Sequence, residues 1–172
     1  MVEFVILVDE KDNEIGTMEK IEAHKKALLH RAFSGFIFNS NKELLLQRRD
    51  FKKYHNGGVW SNTVCSHPRP NEKTIDAVKR RIFEEFGFDA DFREVGEFIY
   101  KKSFPNGLTE YEYDHIFVSE YQGQKINPNP EEICEYKWIS KDELKKEIEK
   151  NPESYTFWLK KILDLDFLNG YF

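Results

Sequence analysis

A chain of 172 residues, 40% hydrophobic and 33% charged, has the makeup of one globular domain with a single substantial core, spanning residues 1–172. Its formal charge of -5, without any long basic run, argues against broad binding to nucleic acid or to an anionic membrane. No apolar stretch approaches spanning length, the start Met1–Asp9 lacks a basic segment, and two cysteines are too few for a disulfide framework, so a reducing cytoplasm is the expected setting.

Residues Val2 to Asp9 read as a strand, followed by a polar turn at Asp12–Glu14 and a second short strand or loop. Phe33 to Asn39 and Leu44 to Arg49 flank Ser40-Asn41-Lys42 as a hairpin, and Gly57-Gly58 breaks the chain before an extended Val59 to Cys65. The spacing of Ile75, Val78, Ile82 and Phe86 predicts a helix over Thr74 to Phe86 with Gly87 as its stop; Arg81 and Glu85, four apart, share another face. Strands follow at Val95 to Ser103 and Tyr111 to Tyr121, joined through Pro105-Asn106-Gly107, with a further strand at Tyr136 to Ile139. Ser140 to Glu143 is a capping box that opens a helix with Leu144 and Ile148 inward, and a last helix runs from about Ser154 to Leu165. With no repeat or linker, the pattern predicts an α+β domain: a β centre, one helix midway and two at the end.

Three constellations carry chemistry. Glu72, followed after seven residues by Arg80-Arg-Ile-Phe-Glu84-Glu85-Phe-Gly87, sets acidic groups on a helix where a hard cation such as Mg²⁺ gives them a reason to converge. By itself Glu-Glu in a helix is more often a solvated face. The second group is His24, His30 and His67 with Glu110 and Glu112. Residues two apart on a strand share a face, and two such carboxylates raise each other's pKa unless a cation lies between them. Three imidazoles and two carboxylates make a five-ligand site for Mn²⁺, Mg²⁺ or Zn²⁺; His55 and His115 are left as structural or surface residues. The third is Trp60-Ser-Asn62-Thr-Val-Cys65-Ser-His67-Pro68, in which a lone cysteine two residues from a ligand-type histidine is either a reactive thiol or a small buried hydrophobe.

The first constellation resembles a Nudix box, with two departures: Ser66 stands where a hydrolase carries Gly, and Arg81 where it carries Glu. A guanidinium in place of a metal-binding carboxylate suits a site that grips a diphosphate without cleaving it. The run His24 to Ser34, the Asn62 to Pro68 segment, Gly107-Leu-Thr-Glu110-Tyr-Glu112 and the altered box together resemble type 1 isopentenyl-diphosphate isomerases, from about Val5 to Trp158. That resemblance implies a Nudix-type α/β/α sandwich with a mixed central sheet and C-terminal helices. It implies Cys65 and Glu112 as the acid/base pair, with Tyr100 hydrogen-bonded near Glu112. It implies a first metal on His24, His30, His67, Glu110 and Glu112, and a Mg²⁺ arriving with the diphosphate on Glu85 and the Cys65 carbonyl. Diphosphate contacts fall to Lys20, Arg49, Lys53, Ser66 and Arg81, and Trp158 faces the hydrocarbon. Phe33, Trp60, Tyr100 and Trp158 are candidates for an apolar wall. The implied substrate is a small prenyl diphosphate, on a monomer or weak homodimer; a Nudix hydrolase and a non-catalytic metal- or diphosphate-binding module are the competing readings.

Overall fold

The computed structural model describes residues 1–53 and 56–172, so His55 lies outside the described residues. Strand β3, His30–Phe38, organises the sheet because both of its edges are used. On one side it runs parallel to β8, Thr109–Glu120, in a register that sets His30 against Glu112 and Phe38 against Glu120. On the other it pairs antiparallel with the short β6, Val64–Ser66, bringing Ser34 opposite Cys65. Strand β7, Arg93–Ser103, adds antiparallel to β8 and places Tyr100 across from Glu112. One row of the sheet therefore reads His30, Glu112, Tyr100.

Strand β4, Leu44–Arg49, meets β3 only at Phe38↔Leu44, then diverges to pair with β5, Trp60–Ser61, and with β9, Ile133–Ile139. The side chain of Thr63 fills the fork: its hydroxyl donates to Leu45 O (2.6 Å) and accepts from Ile37 N (2.9 Å). Those bonds stand in for missing ladder bonds, which buried backbone groups require, and they split the expected Val59 to Cys65 strand into β5 and β6. Ahead of β3, strands β1, Phe4–Val8, and β2, Glu14–Glu19, form an N-terminal hairpin, and a one-and-a-half-turn helix α1, Lys20–Lys25, returns the chain to the sheet. The hairpin joins β3 through the single pair Leu7↔His30.

Strand alternation builds two cores, one on each face. Phe33, Ile37, Leu45, Val64 and Phe117 meet Val78, Ile82 and Phe86 of helix α2, Thr74–Phe86. Phe36, Leu44, Leu46, Ile116 and Val118 meet Leu144 of α3, Lys141–Lys150, and Leu159 and Ile162 of α4, Phe157–Leu163. The result is an α/β/α sandwich with a mixed sheet. Helix α2 closes tightly on β3 at Gly35, where an added Cβ would lie 2.6 Å from Val64 Cγ1 and 3.2 Å from Val78 Cγ2. It stops at Gly87, whose φ of 75° is the left-handed cap that glycine adopts without cost. The last helix is shorter than expected. Pro152–Ser154 forms a separate 3₁₀ turn, and Tyr155 and Thr156 stay extended because Thr156 N donates to Trp60 O (2.9 Å). Among the described residues no helix is long and apolar enough to cross a membrane.

Candidate active site

Helix α1 exists because Glu19 caps it, its carboxylate accepting from the backbone N–H of Ile21 (2.9 Å) and Glu22 (2.8 Å). Its purpose is visible at His24, which it buries against the sheet. His24 Nδ1 donates to Lys20 O (2.7 Å) and His30 Nδ1 to Leu28 O (2.8 Å). A carbonyl only accepts, so each ring carries its proton on Nδ1 and turns Nε2, with its lone pair, toward the third imidazole. His67 Nε2 lies 3.2 Å from His30 Nε2 and 3.0 Å from Glu112 Oε1. One ligand atom from each of His24, His30, His67 and Glu112 falls within 4.8 Å of the others.

The electrostatics suit a cation. Burial and the two neighbouring imidazoles push His24 down to about 4, and burial likewise lowers His67, so both are neutral ligands at pH 7. Burial and the adjacent Glu112 raise Glu110 well above the usual carboxylate range. Burial works against ionisation of Glu112 too, yet the neighbouring imidazoles, His67 Nε2 closest at 3.0 Å, hold it well below that range. Neutral imidazoles, a carboxylate and carbonyls fixing the rings are what a divalent metal takes up, so the donor set fits. Glu110 stands beside this group rather than within it: its Oε2 is 3.3 Å from the Tyr100 hydroxyl, which donates more closely to Glu112 Oε2 (2.7 Å).

Next to the imidazoles opens a cleft of about 110 Å³, lined mostly by polar and charged side chains with Tyr100 and Trp158 among them. Twelve of the fourteen residues singled out from the sequence line it; His24 and His30 sit behind His67. Cys65 projects from β6 into the cleft, with Arg49 Nη1 at 3.9 Å and Ser61 Oγ at 3.8 Å from its sulfur. Burial pushes this thiol up to about 12, so it is a neutral S–H at physiological pH. Trp158 of α4 is buried, its indole fixed by Nε1 donating to Asn62 Oδ1 (2.9 Å). Asn62 in turn donates to Gly35 O (3.0 Å) and Val64 O (2.9 Å), tying that wall to the central strand.

The acids of the Glu72 to Glu85 segment separate into different tasks. Glu72 is bound by Arg80 through two bonds (2.7 and 3.0 Å), and Glu84 by Arg81 (2.7 Å). Of these acids only Glu85 enters the cleft, on the face it was expected to share with Arg81, buried and held by Gln47 Nε2 (2.6 Å) and Arg81 Nη2 (2.5 Å). Lys20, Arg49, Lys53, Ser66 and Arg81 also line the cleft. Two expected wall residues do not. Phe33 points away because its neighbour Ser34 points in, and Trp60 packs in the core beneath α3 and α4 with Lys137 Nζ 4.5 Å over its ring. His115 is a structural residue on the opposite face, bonded to Asp12 Oδ2 (2.8 Å) and Glu94 Oε1 (2.5 Å).

Sequence reasoning gave no site role to four cleft residues, of which Ser34 donates through its hydroxyl to Asp114 Oδ2 (2.7 Å). Glu3 pairs with Lys20, Glu132 pairs with Lys53 and Arg81, and Gln47 orients Glu85. No motif surrounds Glu3 or Glu132. Gln47, a polar side chain within an otherwise apolar strand, carried a signal in its alternation.

Residues 28–159 match the NUDIX domain model. A crystal structure of a Deinococcus radiodurans protein superposes with a TM-score of 0.77 over 94% of this chain and 98% of that one, at 19% identity. A MutT protein from Methanosarcina mazei gives 0.64 over 79% and 91%, at 20% identity. Those likenesses establish the fold. Sequence relatives reach further: isopentenyl-diphosphate Delta-isomerase 2 of Aromatoleum aromaticum is 48% identical over 95% of this chain and 86% of its own length. The protein of the same name from Photorhabdus laumondii is 44% identical over 95% and 92%. With a Nudix sandwich, an imidazole-carboxylate centre beside a thiol, and relatives this similar along nearly its whole length, the chain belongs to the isopentenyl-diphosphate Delta-isomerase family of Nudix-domain proteins.

Proposed function

We propose that this chain interconverts isopentenyl diphosphate and dimethylallyl diphosphate by moving a proton on and off a five-carbon chain. The observation that supports it best is one cleft lined by a neutral thiol, Cys65, and by a carboxylate, Glu112, that is bonded to both His67 and Tyr100. Protonating an unactivated alkene needs a strong acid, and removing the neighbouring proton needs a base on the other side of the tertiary cation so formed. Cys65 and Glu112 are those two groups. The Tyr100 O–H stabilises whichever state of Glu112 carries charge, and the buried indole of Trp158 is an electron-rich face for the cation, worth about 0.5–2 kcal/mol.

His24, His30, His67 and Glu112, with Glu110 adjacent, are the residues to hold a divalent cation of the Mn²⁺, Mg²⁺ or Zn²⁺ type. Such a cation strengthens the acidity of a bound carboxyl group, and Mg²⁺ at Glu85 would accompany the diphosphate. Lys20, Arg49, Lys53 and Arg81 supply charge-assisted bonds to that anion, so affinity resides in the diphosphate and reactivity in the thiol and carboxylate. Arg81 occupies a box position where a hydrolase needs a carboxylate, and its two short bonds to Glu84 and Glu85 leave the helix one cleft-facing acid. The same reading takes residues 1–172 as one domain working in the cytoplasm as a monomer or weak homodimer.

The test is incubation with isopentenyl diphosphate and Mg²⁺ in deuterated water. Deuterium should enter dimethylallyl diphosphate with no phosphate released. Phosphate release without isomer would establish a hydrolase instead.

A further inference from the structure

We propose that Glu132 is a built-in counter-anion that competes with the incoming diphosphate for Lys53 and Arg81, and so holds down the affinity of the cleft for diphosphate that arrives without a metal. The inference rests on the diphosphate-binding reading above and deepens it.

Glu132 belongs to the loop between β8 and β9, and that loop is fastened on two sides. Asn127 N donates to Phe86 O (2.9 Å) and Asn129 N to Glu85 O (2.8 Å), which lays the loop on the end of α2. Asp50 N donates to Glu132 O (3.0 Å), and Glu132 N to Asn129 O (3.0 Å), so the residue is pinned by its own backbone. The carboxylate is thereby delivered into the cleft, where one oxygen, Oε2, meets both Lys53 Nζ and Arg81 Nη2, the latter at 3.3 Å. The same oxygen thus neutralises two cations that the proposed function assigns to the ligand. Glu3 makes the same arrangement with Lys20.

The charge count gives the arrangement a meaning. Lining the cleft are four cations, Lys20, Arg49, Lys53 and Arg81, and, leaving aside Glu110, four carboxylates, those of Glu3, Glu85, Glu112 and Glu132. A site with at least as many carboxylates as cations has no surplus attraction for a free polyanion. The anion must displace Glu132 from its partners or come with neutralising cations of its own. Bound divalent ions at the histidine site and beside Glu85 reverse the balance, and a metal–diphosphate complex is then favoured over the bare anion. Discrimination of this kind works through repulsion against the wrong form of the ligand.

Calorimetric titration with inorganic diphosphate tests this in chelator and again with Mg²⁺, using wild type, E132Q, E132D and E131Q. Glu131 is its exposed neighbour and controls for overall charge. Removing a charge that shares partners with the ligand in a half-buried cleft should raise the affinity of E132Q for metal-free diphosphate about ten-fold. The gain in affinity on adding Mg²⁺ should shrink by a similar factor. E132D and E131Q should bind like wild type. Should E132Q melt early, E132A carries the same expectation. Unchanged or weaker binding of metal-free diphosphate by the neutral variants overturns the proposal and makes Glu132 a positioning residue for Lys53 and Arg81. Isomerase turnover of the same wild-type preparation is measured alongside. Its absence would remove the isomerase reading without altering the comparison of affinities.

Discussion

Replacing Trp158 with Phe separates the cation-stabilising wall from the diphosphate grip. The indole Nε1–H donates to Asn62 Oδ1, but that oxygen also accepts from Ser61 Oγ at 3.0 Å, so the substitution leaves no orphaned acceptor. The loss is then one neutral hydrogen bond and a small void, about 1–2 kcal/mol, or a fall in Tm of about 2–5 °C for a domain of this size. At the reacting carbons a phenyl ring offers a weaker electron-rich face. If the indole contributes about 0.5–2 kcal/mol to the cation and the phenyl ring keeps part of it, kcat falls measurably but by less than about thirty-fold. Arg49 Cζ lies 5.9 Å over the indole, but Lys20, Lys53 and Arg81 supply the rest of the diphosphate grip, so KM should change less than kcat. Steady-state kinetics and a thermal melt of the same sample provide all three readings. Unchanged kcat with a raised KM would show that Trp158 holds substrate without stabilising the transition state, and the reasoning would be wrong.

Three more outcomes follow from the site. Cys65→Ala should lower turnover by at least about a thousand-fold while inorganic diphosphate affinity changes less than about two-fold, since the thiol acts on the hydrocarbon alone; normal turnover would take Cys65 out of the mechanism. Glu112→Gln should be inactive even where metal analysis finds the histidine site loaded, whereas an active, loaded variant would contradict its acid/base role. Glu72, bound bidentately by Arg80, has its carboxyl held below the ordinary value of 4.5 against the opposing effect of burial. A lowered folded-state pKa contributes stability above the unfolded value that disappears as the pH falls through the folded one. Glu72→Gln should therefore lower Tm at pH 7, and the difference from wild type should shrink as the pH falls below 4.5, read by melts at descending pH.

The sequence made some elements plain and hid others for physical reasons. Helix α2 repeats its apolar residues over thirteen positions and ends at a glycine, so both its existence and its inner face were readable. Helix α1 has six residues and buries only Ala23 and His24, too few for a period to show; its signal is the cap at Glu19. Twelve of the anticipated site residues meet in the cleft because motif order followed chain order closely. The misplaced aromatics failed on phase. Phe33 and Ser34 are adjacent on β3 and must face opposite sides, and only the pairing of Ser34 with Cys65 shows which side is the cleft. Glu132 was illegible for another reason: the cations it meets are 79 and 51 residues away, and no local pattern announces a pairing at that distance.

The N-terminal hairpin and α1 lie ahead of residue 28, where the match to the Nudix domain begins, and they carry Glu3, Lys20 and His24. They are attached to the central strand by the Leu7↔His30 pair, by a backbone bond from Val8 N to Leu29 O, and by Arg31, which donates to Asp12 Oδ1 and Asp12 O (2.7 Å each), while Ile6 and Val8 pack on Leu29 and Tyr113. The imidazole centre is thus a joint between a prefixed segment and the common scaffold, with one histidine on the prefix and two on the scaffold. A cation held by these residues would fasten the two together, and its removal should speed amide exchange in α1, which buries His24, relative to the sandwich behind it.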